Sequence, residues 1–304
     1  AKSVPLPPKL FSHNDQQSVW QSSAAEGATT GWAGRMGDLA QSSNSRSLFT
    51  CMSVTGNTVF LSGESALSYQ IGTGGAVRIN CVSNNVYRSA AVRDALRQIT
   101  RQASGGHLME DAYTAVTARA MDAEGAITSA LAGAGADGAS FDPFTSAVLA
   151  NNSLASQLKM VARLIAARSE LGNKRQVYFV SMGGFDTHDN LLSGHNTLLD
   201  RVSLAMTAFQ QSMVNLGVSD KVTAFTASDF GRTLTSNGDG SDHGWGSHHF
   251  VMGGAVRGGD MYGRLPTLSV KNAHNNQFDG SPDQLANGAL LPGTGEGAPD
   301  DTIF

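Results

Sequence analysis

Charge is scarce in this chain. Only 15% of its 304 residues are Asp, Glu, Lys or Arg, and their formal balance is -4. A protein that grips nucleic acid through phosphates needs a basic face, so no nucleic-acid partner is expected. The balance is also too small to imply disorder. Long apolar runs are absent, since none approaches the ~18 residues that cross a bilayer, and no transmembrane segment is expected. No signal peptide opens the chain; Ala1-Lys2-Ser3-Val4-Pro5-Leu6-Pro7-Pro8 reads as a loop inside a longer protein. No internal repeat is evident. Cysteine is nearly missing. Cys51 and Cys81 each sit in a strand-like patch. An exported protein could pair them, closing a loop worth about 3 kcal/mol. Otherwise they are two buried thiols acting as small hydrophobes.

What is present is a soluble core and much glycine. Hydrophobic residues make up 40% of the chain, Gly occurs 35 times, and the mean hydropathy is -0.16. Low charge with abundant glycine suits a loop-rich exported protein. The length allows one large domain or two small ones, and a single domain over 1–304 is expected.

Residues 1–47 read as irregular with short helical pieces. Residues 48–82 look like short strands separated by Thr55-Gly56-Asn57 and Gly72-Thr73-Gly74-Gly75, a pattern that predicts a small antiparallel β insertion. Apolar spacing at Val92, Leu96, Ile99, Val116 and Ala120 predicts two or three helices over 88–131. Leu154, Leu158, Val161, Leu164 and Ile165 form the stripe of another helix, and Leu198, Val202, Ala205, Phe209 and Met213 that of a helix over 191–216. Between and after them lie β-prone runs at 176–182, 221–227 and 250–252, while 271–304 reads as loop. Strand alternating with helix predicts an α/β fold, a mainly parallel sheet flanked by helices.

The chemistry gathers late in the chain. Five of its eight histidines fall in residues 188–249, beside aspartates and glycines. Imidazole and carboxylate are the usual ligands of zinc, manganese or magnesium. Asp186 and His188 follow the end of one expected strand and Asp229 the end of the next. Ligands of open α/β sheets bind at that edge. Asp242-His243-Gly244 follows, then His248-His249, which on a strand point to opposite faces. A hydrogen-bonded network that only organises glycine-rich loops is the alternative. Arg232 could clamp a phosphate or sulfate oxygen, or pair with a local carboxylate. His13 and Asp15 could form a second cluster or cap a turn, the cap being the favoured reading; His107, His195 and His274 are read as ordinary surface or helix histidines, and Trp20, Trp32 and Trp245 as packing residues.

Four segments carry a resemblance. Leu10-Phe11-Ser12-His13-Asn14-Asp15-Gln16-Gln17, Gly184-Phe185-Asp186-Thr187-His188, Ser228-Asp229-Phe230-Gly231-Arg232-Thr233 and Asp242-His243-Gly244-Trp245-Gly246 with His248-His249-Phe250-Val251-Met252-Gly253-Gly254 resemble, in order and spacing, the bacterial domain-of-unknown-function family 1501. That family is placed with the alkaline phosphatase and sulfatase superfamily. The resemblance implies an alkaline phosphatase-like fold, twin-arginine export and a periplasmic or extracellular location. It also implies a divalent metal (zinc, manganese, magnesium or calcium) held by Asp186, His188, Asp229 and His243, with Asp242, His248 and His249 in reserve. The expected activity is hydrolysis of phosphate or sulfate esters of a small molecule or glycan.

The chain departs from that pattern in places. Phe230 stands where the superfamily's phosphatases have a metal-binding His. The strand ending in a Gly-Gly-Asn-Asp-like loop, with the first metal Asp and the nucleophile near it, has no counterpart in this sequence, so no nucleophile is assigned. The C-terminal helix of the family also looks abbreviated. These departures support two rival expectations. One is a non-catalytic exported surface, matrix or assembly protein that kept the fold; the other is an anionic-glycan binding protein.

Overall fold

A computed structural model describes residues 9, 12–24, 27–102, 105–244 and 247–263. The elements run α1 (His13–Ser22), α2 (Trp32–Ala40), β1 (Cys51–Ser53), β2 (Ser68–Gln70), α3 (Ala90–Ile99), α4 (Leu108–Ala132), α5 (Ser153–Ala166), β3 (Val177–Phe179), α6 (Leu191–Asn215), β4 (Ala224–Phe225), β5 (Gly231–Ser236), β6 (Ser241–Gly244) and β7 (Val251–Met252), with short 3₁₀ turns between them. The expected loop 271–304, His274 and Trp245 lie outside the described residues.

The fold is mixed α/β. Its parallel sheet is smaller than expected, with three strands in the order β2-β1-β3. Cys51 pairs with both Ser68 and Val177, and Ser53 with Gln70 and Phe179. The stretch 48–82 therefore forms no antiparallel hairpin; it supplies the central strand and one edge of the parallel sheet. Residues 54–67 intervene between β1 and β2, and a link of about a dozen residues is what a parallel pair needs to cross over. The run at 221–227 also differs from expectation. Its strand β4 pairs antiparallel with β7 and stays out of the three-stranded sheet.

Side-chain alternation along the strands divides the core in two. Met52 and Tyr178, which are paired neighbours, face a large cluster that includes Phe49, Ile127, Leu158, Leu164, Phe209 and Met213. That cluster is lined by α5, α6 and the C-terminal half of α4. The α5 and α6 stripes expected from spacing supply it, and each fully buried leucine such as Leu164 contributes about 1.5–3 kcal/mol. Cys51, Val177 and Phe179 face the other way, onto Trp20, Ala33, Phe60, Leu61 and Ala66. Trp32 donates its indole N–H to the Trp20 carbonyl at 2.9 Å and stacks on Phe225. Both tryptophans thus pack α1 and α2 against the sheet and β4, as their sequence reading held. The cysteines do not pair. Cys51 is sealed in this second core while Cys81 lies on an exposed loop, and both are free.

Asp38 of α2 ties down the crossover between β1 and β2. Its carboxylate accepts from the amides of Glu64 (2.8 Å), Ser65 (2.9 Å) and Ala66 (2.6 Å) and from the Ser65 hydroxyl (2.9 Å). The Ala66 amide, followed by the others, holds its pKa at about 2, below the usual 3.8. A depressed carboxyl pKa stabilises the fold above the unfolded value and loses that effect as pH falls toward 2. Asp38→Ala is expected to cost about 1–2 kcal/mol at pH 7, with solvent screening allowed for. The deficit should shrink toward zero near pH 2. Urea unfolding of both proteins at the two pH values checks this, and equal stability at pH 7 would show that the loop stands without Asp38.

Candidate metal centre

Three pieces of chain converge beyond the carboxyl end of β3. The first is the segment leaving β3 itself. Buried Gln157 of α5 accepts from the Ser181 amide and donates to the Ser181 carbonyl, both at 2.9 Å, so the chain leaves the sheet on a fixed course toward Asp186. The second is the N-terminus of α1. Ser12 caps it by accepting the Asp15 amide, which makes His13 the first helical residue. The third is the hairpin β5–β6, whose register sets Arg232 directly opposite His243. The hairpin lies against residues 187–190 through the Ser241 amide to the Thr187 carbonyl (3.3 Å) and the Asn190 amide to Asp239 (3.1 Å). Gly240 is required there, because a Cβ on it would lie 2.1 Å from the His188 carbonyl oxygen.

Asp186 is the hub. Its Oδ1 lies 2.8 Å from His243 Nε2, 3.0 Å from His188 Nε2 and 3.0 Å from Arg232 Nη1. Its Oδ2 lies 3.3 Å from His13 Nε2. Ligand atoms of His13, Asp186 and His243 all fall within 4.8 Å of one another. Partial burial works to raise the Asp186 pKa. The His243 hydrogen bond, the His188 charge and the Arg232 hydrogen bond outweigh it, and hold the carboxyl at about 2.

Two further carboxylates stand behind the histidines. His13 Nδ1 meets Asp229 Oδ2 at 3.0 Å, and Gln17 donates to the same oxygen at 3.3 Å. His188 Nδ1 meets Asp242 Oδ1 at 3.0 Å, and Asn237 donates to that oxygen, also at 3.0 Å. The result is two carboxylate–imidazole pairs whose Nε2 atoms both face Asp186. The Asp229 contact raises the His13 pKa above its usual value, against the opposing effect of burial. The His188 bond lowers that of Asp242.

Phe230 forms the apolar wall. Its ring lies flat on His243, with centroids 4.3 Å apart and planes at 10°, and meets His13 edge-on at 5.0 Å. The Arg232 guanidinium sits 5.5 Å from its centroid. His243 and Arg232 are mostly buried; Asp186, His13 and His188 are half exposed and form the mouth.

The structure brings Asp186, His188 and His243 together. Asp229 reaches Asp186 only through His13. Arg232 pairs with Asp186, and its other donors reach the Ser241 hydroxyl (3.0 Å) and the Thr187 hydroxyl (3.4 Å). His249 is engaged elsewhere, by the Thr226 hydroxyl at 3.1 Å and the Ser247 hydroxyl at 2.9 Å; His248 is exposed. The reading of His13 as a turn cap is overturned. Ser12 does the capping, and His13 crosses 173 positions of sequence to Asp186. The spacing Ser12-x-x-Asp15, a helix-start signal, could have freed His13 for another role.

Fold and site together define a mixed α/β protein with a histidine-rich carboxylate centre. Residues 1–288 match the family described as protein of unknown function (DUF1501), and the chain belongs to that family. Neither curated proteins nor solved structures give a match. No helix among the described residues is long and apolar enough to cross a membrane.

Proposed function

We propose that this protein is an exported, metal-dependent hydrolase of phosphate or sulfate esters, related to the alkaline phosphatase and sulfatase superfamily. One observation carries the reading: three imidazole Nε2 atoms surround one ionised carboxylate at a half-open mouth. Loops that need only hydrogen bonds can be organised without aiming three histidines at one aspartate. The four motif segments support the superfamily kinship, and export rests on the same resemblance.

The donor set fits a divalent cation. Asp186 is ionised at neutral pH, and metal binding requires deprotonated ligands. Two imidazoles and a carboxylate within 4.8 Å, with His188 beside them, suit zinc better than the oxygen-seeking manganese, magnesium or calcium. His13, Asp186 and His243 would hold the ion. It would supply Lewis-acid polarisation of an ester oxygen and neutralise developing charge. Arg232 lines the same mouth. Three of the ~five N–H donors of a guanidinium are taken by Asp186, Thr187 and Ser241, which leaves donors for an oxygen of the ester.

A second reading has its own observation. Arg232 already gives Asp186 a cation from the protein itself, so the network can be satisfied with no metal. That favours a non-catalytic exported surface, matrix or assembly protein. Elemental analysis of the natively purified full-length protein, followed by nitrophenyl and glycan phosphate and sulfate esters with metal supplied, separates the two. Bound metal near one equivalent with turnover of a phosphate or sulfate ester is the expected result. Metal-free protein inert toward every ester would move the assignment to the second reading.

A further inference from the structure

Two glycine turns, Thr55-Gly56-Asn57 and Gly72-Thr73-Gly74-Gly75, lie outside the metal centre. Each follows a strand of the parallel sheet, β1 or β2, and residues of both line one cleft of about 570 Å³. Its third side is the start of α5, with Ser153, Ser156 and Gln157. These walls are held in place. The buried Ser53 hydroxyl donates to the Gly56 carbonyl at 2.5 Å and accepts from the Gly56 amide at 3.3 Å. Gly72 and Gly75 exchange backbone hydrogen bonds at 3.1 and 3.0 Å, and Gly75 takes a φ of +111° that a side chain rarely adopts. Gln157 is fixed by both backbone groups of Ser181. The strand order reverses at β1, because the chain passes to β2 on one side and later to β3 on the other. Ligands of open α/β sheets bind outside the carboxyl ends at such a point. There the hydroxyls of Thr55 and Ser181, which follow β1 and β3, meet at 2.6 Å. Ser181 precedes Asp186 by five residues, a reach of at most ~18 Å, so the cleft and the metal centre share one edge of the sheet.

We propose that this cleft is the subsite for an uncharged sugar, the alcohol part of the ester that the metal centre hydrolyses. Its place in turnover rests on the ester-hydrolase reading; its binding of sugar does not. Among the described residues the lining has no ionisable side chain. A charged group entering it would give up water and meet no counter-ion, so the phosphate or sulfate belongs at the metal centre, beside Arg232. The hydroxyls of Thr55, Thr73, Ser153 and Ser156 and the amides of Gln70 and Gln157 offer donors and acceptors together. A hydroxyl can turn to give or to take a hydrogen bond, which matches the hydroxyls of a sugar in either sense. Val54, Ile71 and Val77 give the C–H side of a ring an apolar neighbour. No aromatic side chain among the described residues lines the cleft, so a nucleobase or aryl group has no platform on which to stack. Walls that are ordered beforehand spare the ligand the cost of ordering them.

Saturation-transfer NMR on the full-length protein, freed of metal with a chelator, tests this with glucose, galactose, mannose, N-acetylglucosamine and lactose at up to ~10 mM. At least one is expected to bind with a millimolar or lower Kd. Gln70→Leu on the sheet side and Ser156→Leu on the helix side should each weaken that binding at least ~10-fold. Both positions are exposed, and far-UV circular dichroism with urea unfolding shows whether each variant folds. With metal and the phosphate or sulfate ester of the same sugar, both variants should raise KM more than they lower kcat, as loss of uniform binding does. Binding by no sugar of the panel, or binding that the two substitutions leave untouched, overturns the proposal. Competition by inorganic phosphate overturns it too, by making the first turn of α5 an anion site. A protein inert toward every ester that still binds sugar in the cleft keeps the sugar site and loses the hydrolase reading. An active enzyme that takes methyl phosphate or sulfate with the same kcat/KM as the sugar ester keeps the hydrolase reading and loses the subsite.

Discussion

Asp186→Asn is expected to remove divalent-cation binding from this protein, with affinity falling well beyond the ~10–100-fold that loss of an outer hydrogen-bond partner costs. The side chain keeps its size but loses the charge and one of the two oxygens that face His13, His188, His243 and Arg232. Its new amide would point a donor at groups that are donors themselves. The fold should pay as well, by about 1–3 kcal/mol, kept low because the carboxylate is 41% exposed and screened. The acid limb supplies the sign. The wild-type carboxyl is held at about 2, so its contribution is present above the ordinary 3.8 and fades as pH falls toward 2. The variant should lack that fade. Isothermal titration with zinc and with manganese, alongside urea unfolding at pH 7 and near pH 2, measures both effects. A variant that binds metal as the wild type does would sink the metal assignment. A variant that loses stability although the wild type never binds metal would point to the self-satisfied network.

The elements that could be read from the sequence are those whose burial is one-sided and long. The stripes of α5 and α6 face one core over several turns, so helical spacing alone finds them. The strands were harder. β1 is three residues long and buried on both faces, so it shows no alternation from which a partner could be chosen. Its direction relative to β2 depends on the path of residues 54–67. The partner of β4 is β7, with residues 226–250 between them, a stretch that includes the β5–β6 hairpin. That hairpin had a partial signal in the turn sequence Asn237-Gly238-Asp239-Gly240 after the β-prone Thr233-Leu234-Thr235, but its second strand, Ser241-Asp242-His243-Gly244, carries no β-formers; its register is what sets Arg232 opposite His243. The late histidines and aspartates were visible as a cluster because they are close in sequence. His13 was not, because nothing local links the first turn of α1 to a loop after β3. Helical periodicity also foretold α3 and the start of α4, but could not tell that α3 buries none of its residues and α4 none before Met121.

The role of Asp229 turns on one geometric fact. Kinship with the alkaline phosphatase and sulfatase superfamily, as proposed, would make it a direct metal ligand, yet Asp229 meets His13 Nδ1, on the far side of the imidazole from Asp186. A carboxylate there fixes the Nδ1–H tautomer, orients the ring and makes Nε2 a stronger donor, as outer carboxylates do behind metal-bound histidines. Asp229→Ala should therefore weaken metal binding ~10–100-fold without changing its stoichiometry. Asp229→Asn should fall between, since its carbonyl can still accept from Nδ1–H while the charge is gone. The two roles separate in a His13→Ala background. A residue that acts through His13 has nothing left to act on, so adding Asp229→Ala to His13→Ala should cost nothing more, a full coupling in the double-mutant cycle. A direct ligand would go on contributing, and a further tenfold loss in the double variant would restore Asp229 to the metal. The same cycle with Asp242 and His188 tests the second carboxylate–imidazole pair. Coupling in both would leave Asp186 as the one aspartate at the ion, with Asp229 and Asp242 deciding how firmly His13 and His188 face it.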